Sequence, residues 1–126
     1  VDGIMGQLLM SSETMRYTIS SLQNIANHWN LSHFSYEGGP DTRASWPDYV
    51  GKDQYILANR DPRIYDAIWL HFVDGWYSQG GGLYMYYSLV NPFNRYGAFG
   101  LLEDITQIDT HKYRAVQDII QIGQEE

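Results

Sequence analysis

The chain changes hydrophobic period several times, and those changes outline its elements. Residues 3–10, "GIMGQLLM", form a short apolar run that reads as a strand or the end of one. Ser11 and Ser12 then offer oxygens that can cap a helix, and Glu13 suits its positive end. Met15, Ile19, Leu22, Ala26 and Trp29 follow at intervals of three and four, one apolar stripe on a helix. In "LSHFSYE", residues 31–37, the period drops to two. Phe34 and Tyr36 fall on one side, and Leu31, His33, Ser35 and Glu37 on the other. Both sides carry bulk, which predicts a strand covered on both faces.

Gly38, Gly39 and Pro40 stop that strand, and 40–50 reads as loop. A helix is expected from about 48 to 59. Asp61-Pro62 marks another start, an N-cap aspartate followed by proline at the first helical position. Its stripe is Ile64, Ile68, Phe72 and Trp76, and the glycines at 80–82 end it. "LYMYYSLV", residues 83–90, predicts a second strand, closed by Asn91-Pro92. Residues 91–109 are loop-like. Thr110 to Ile122 forms a last helix, with Tyr113, Val116, Ile119 and Ile120 on its apolar side. Strands alternating with helices predict an α/β class with parallel strands and right-handed crossovers.

Composition narrows the classes of function. A length of 126 residues fits one domain, 1–126. The net charge is −7, with eight Lys and Arg and no basic cluster. Nucleic acid and anionic membranes are therefore not expected partners. The chain has no cysteine, so disulfide and thiolate chemistry are excluded. No run of ~18 apolar residues suggests a membrane span. Val1 is not a start methionine, so the chain is expected to belong to something longer. Eleven tyrosines among the 15% aromatics suit packing, protein interfaces and sugar rings alike.

The candidate chemistry centres on Glu37. At the carboxyl end of a parallel strand it would face the region where α/β folds bind ligands, with two glycines leaving the mouth clear. Glycoside hydrolysis uses two carboxylates. Glu37 is one candidate, and Asp41, Glu103 and Asp104 are the others, Asp41 reading more naturally as a turn residue. Trp46, in the following loop, and Tyr86 are candidate sugar platforms. His33 shares Glu37's face, although a hydrogen-bonded interior histidine is the plainer reading. The four histidines have no metal-ligand spacing, and neither metal nor cofactor is expected. No phosphate loop, dinucleotide fingerprint or nucleophile elbow occurs.

"SYEGGPDTR", "ANRDPRIYDAIWLHFVDGWYSQGGGLYMYYSLV", "YGAFGLLEDI" and "HKYRAVQDII" together resemble the C-terminal portion of large secreted (β/α)8 proteins related to glycoside hydrolases. The resemblance spans about residues 12 to 122. It implies a partial TIM barrel, with 31–37 and 83–90 as its seventh and eighth strands and 112–122 as its closing helix. It further implies Glu37 as nucleophile, an extracellular or cell-surface setting, and a polysaccharide or oligosaccharide as partner. No Asn-Glu pair of the kind that carries the acid/base in such barrels is present, and a barrel needs about 250 residues. The isolated chain is thus expected to be catalytically silent, and to cover its strand edges with the rest of a parent chain or with copies of itself. The alternatives are a non-catalytic module binding sugar or protein through exposed aromatics, and a self-contained α/β domain without a site.

Overall fold

The computed structural model describes residues 1–41, 51–94 and 96–125. It is built mainly from helices: α1 (Asp2–His28), α2 (Lys52–Arg60), α3 (Arg63–Trp69) and α4 (His111–Glu125). Two short strands, β1 (Ser35–Gly38) and β2 (Tyr84–Tyr86), form the sheet seen among the described residues. The partial-barrel, α/β expectation is therefore corrected to a mostly helical fold carrying a two-stranded sheet.

The physical reason lies in what covers the strands. Phe34 and Tyr36 are 58% and 79% exposed, so helices cover one face of the sheet and leave the other open. The two strands do run parallel. Ser35 N–H donates to the Leu83 carbonyl at 2.9 Å, and Tyr87 N–H donates to the Gly38 carbonyl at 2.9 Å. Ser35 pairs with Tyr84 and Gly38 with Tyr86, so β1 spends one residue more than β2 between the two pairings. Such a bulge re-aims the side chains within it and breaks strict alternation at Tyr36 and Glu37.

Residues 3–10 are helical, not a strand, and belong to α1. A short apolar run does not distinguish the two by period alone. Here Met5, Ser12, Ile19 and Ala26 recur every two turns and are all buried. Of the predicted stripe, Ile19 and Ala26 lie in the interior, whereas Trp29 is 67% exposed.

Asp61 accepts the Arg63 backbone N–H at 3.0 Å on Oδ1 and so caps α3. The predicted stripe Ile64, Ile68, Phe72 and Trp76 is buried throughout. A strict four-residue repeat overshoots an α-helical turn by about 40° at each step. The chain answers by passing into a π-helical stretch, Leu70–Trp76, whose wider turns carry more residues and bring the stripe back into line. A 3₁₀ turn, Tyr77–Gln79, and left-handed Gly80 end it.

The core joins Met5, Ala58, Ile64, Ile68, Phe72 and Ala115, drawn from every helix, each large side chain contributing about 1.5–3 kcal/mol. The 99–102 segment runs beside 88–91, with Leu101 N–H donating to the Ser88 carbonyl at 2.9 Å. Thr110 starts α4 by accepting the Tyr113 N–H at 3.1 Å, while its own hydroxyl donates to the Leu101 carbonyl at 2.6 Å.

Candidate functional site

A cleft of about 470 Å³ opens between α1 and the strand pair. One wall is apolar and comes from α1: Leu8, Met15, Ile19 and Leu22. The other carries His33, Ser35, Glu37 and Asp41, and His71, Trp76 and Tyr84 also line it. The π-helical stretch supplies two of these groups, and its geometry sets where their rings fall. Trp76 is anchored by its Nε1–H, which donates to the Gly82 carbonyl at 2.8 Å, and its ring meets Tyr84 edge-on at 5.3 Å.

His33 is half-buried and hydrogen-bonded at the cleft wall. Its Nδ1 lies 3.1 Å from Gln23 Oε1, a pure acceptor, so the ring donates there; its face leans on Trp76 at 4.7 Å. His71 Nε2 lies 3.0 Å from the Tyr84 hydroxyl. Burial pushes the His71 imidazole below its ordinary pKa. Burial likewise raises the Tyr84 phenol, against an opposing hydrogen bond from Ser35 and with a small push from Tyr77. Both groups are thereby favoured in their uncharged forms at neutral pH.

The glycines after Glu37 have a structural purpose. A Cβ on Gly38 would collide with the Tyr84 hydroxyl, and one on Gly39, at φ +140°, would lie 3.0 Å from the Tyr86 ring. They admit two tyrosine rings from β2. No family model, curated protein or solved structure matches this chain.

The sequence-derived candidates separate in space. Glu37 lies at the cleft, solvent-exposed, and Asp41 and His33 share it. Glu103 is held elsewhere: Arg60 grips it with two hydrogen bonds of 2.7 and 2.6 Å, and it does not line the cleft. Tyr86 turns inward against Phe72, 6.0 Å between ring centres, and its hydroxyl is buried without a partner among the described residues. Trp46 lies outside the described residues. Among the described residues no group of three or more His, Asp or Glu could hold a metal ion, and no helix is long and apolar enough to cross a membrane.

Residue spacing tested His71 only for metal binding and missed its partner. One signal was present: His71 sits beside Phe72 on an otherwise apolar stripe, where a polar ring requires a hydrogen-bond partner.

Proposed function

We propose that the cleft binds a saccharide ring. A sugar presents an apolar C–H face and a rim of hydroxyls. The cleft offers apolar side chains from α1 and the Tyr84 ring on one hand, and carboxylates and a phenol on the other. The observation that carries this reading is that Glu37 and Asp41 line one cleft together with His33, His71 and Tyr84. Glu37 remains the candidate nucleophile for hydrolysis, and Asp41 replaces Glu103 as the carboxylate that shares its cleft. Titration calorimetry with tetrasaccharides of glucose, xylose, mannose and galactose tests binding in the native chain. A saturable signal that Glu37→Gln weakens supports the proposal, and silence across all of them removes it. Release of reducing ends by the native chain, lost in Glu37→Gln, would make the binder a hydrolase.

A second reading has its own observation. Phe34, Tyr36, Leu83, Met85 and Tyr87 stand exposed on the outward-facing side of the strand pair and its flanks. They suit a flat, non-catalytic contact with a polysaccharide or a protein. Retention on insoluble polysaccharide that vanishes in Tyr36→Ser, with the cleft variants unaffected, favours it.

A further inference from the structure

Three side chains of the cleft are linked through one oxygen. The Tyr84 hydroxyl lies 3.0 Å from His71 Nε2 and also hydrogen-bonds Ser35, whose own hydroxyl reaches the Glu37 carbonyl at 3.2 Å. The phenol can donate only once. A phenol O–H is a far better donor than an imidazole N–H, and an imidazole nitrogen a better acceptor than a phenol oxygen. The stable arrangement therefore sends the Tyr84 proton to His71 Nε2 and leaves the phenol oxygen's lone pairs to accept; when the single Ser35 proton goes to the Glu37 carbonyl, those lone pairs face the cleft alone. Protonated His71 has only N–H at Nε2, so the bond reverses, and Tyr84 must point its own proton elsewhere.

We propose that Tyr84 is the specificity residue of the cleft, held by neutral His71 so that its phenol oxygen accepts a hydrogen bond from a ligand hydroxyl. This deepens the saccharide reading and rests on it for the ligand class. Gly38 is the positioning residue, because only a residue without Cβ leaves the hydroxyl its place. Among the described residues, the ionisable groups around this pair are Glu37, Asp41 and His33 in the cleft and Tyr77 and Tyr86 beside Tyr84; the α1 side chains that line the cleft are uncharged.

The ligand-free test is nitrogen-15 NMR of the histidine rings. At pH 7.5 His71 Nε2 is expected to be unprotonated, with a signal that shifts in Tyr84→Phe. An Nε2–H tautomer at that pH overturns the proposal whether or not any sugar binds. The ligand test titrates the same four tetrasaccharides at pH 7.5. Tyr84→Phe is expected to weaken binding about tenfold, the scale of one lost hydrogen bond. Undiminished affinity in Tyr84→Phe overturns the specificity role. Absence of binding by the native chain ends the saccharide reading and the specificity role built on it, while the NMR result still decides the direction of the Tyr84–His71 bond.

Discussion

Gly38 and Tyr84 occupy each other's space: the Tyr84 hydroxyl sits where a Cβ on Gly38 would have to be. The obstacle is a ring fixed by Trp76, Phe72 and His71, with Phe72 4.3 Å away between ring centres, so it cannot swing aside freely. Gly38→Ala is expected to cost about 1–3 kcal/mol in urea unfolding, as overpacking does. The same substitution at Gly3 or Gly6 meets nothing within 4 Å. Both lie inside α1, so alanine there should stabilise by about 0.5–1 kcal/mol. Equal effects at all three positions would refute the steric account.

The helices were legible because their stripes are long. Ile64, Ile68, Phe72 and Trp76 share a face over three turns, and the run between Asp61-Pro62 and the glycines at 80–82 is too long for a strand. Residues 3–10 were not legible, since eight residues fit either period and the decision came from Met5 and Leu8 packing into the core. The class was misjudged because Phe34 and Tyr36 look like interior residues on paper. Burial of a strand's second face depends on helices elsewhere in the chain, and among the described residues none covers Phe34 and Tyr36. At the site, Glu37, Asp41 and His33 could be found from their closeness in sequence. The His71–Tyr84 bond joins residues thirteen apart and depends on how the π-helical stretch meets β2, which no local pattern encodes.

Arg60 and Glu103 make a two-pronged ion pair on the surface, side chains 50% and 29% exposed. The Glu103 hydrogen bond raises the Arg60 guanidinium further above its already high pKa. Water screens such a pair, so Glu103→Gln is expected to cost no more than about 1 kcal/mol. Since Glu103 does not line the cleft, ligand affinity should be unchanged, measured by the same calorimetry. A loss of binding in this variant would mean that the site extends to the far side of α2.

The outward face of β1 should be expendable for folding. Phe34 and Tyr36 are 58% and 79% exposed and bury little surface in the isolated chain. The double variant Phe34→Ser, Tyr36→Ser is expected to unfold within about 0.5 kcal/mol of the native chain. A larger drop that grows with protein concentration would show that copies of the chain already cover this face.

Lys112 predicts a specific pH dependence. It is 1% exposed; its Nζ donates to the Ala98 carbonyl at 2.6 Å and lies 4.6 Å from the centre of the Phe93 ring. Burial lowers its pKa from 10.5 to about 7, with Asp41 and Glu103 pulling weakly the other way. Between pH 7 and 10 the unfolded chain holds a proton on this amine that the folded chain lacks. Stability must therefore rise with pH across that window, by an amount on the order of 4 kcal/mol if Lys112 acts alone. Below pH 7 both states are protonated and the full cost of burying the charge remains. Above pH 10 the gain ends, and the raised phenols of Tyr84 and Tyr86 turn the slope downward, since they keep their protons in the folded state only. Urea unfolding at pH 6.5, 8 and 9.5 measures the slope directly. Lys112→Met fills similar volume, and its cost is an unpaired Ala98 carbonyl, about 1 kcal/mol. That variant should lose the rise between pH 7 and 10 and be at least as stable as the native chain at pH 6.5. A slope of the same size in Lys112→Met would assign the titration to another group.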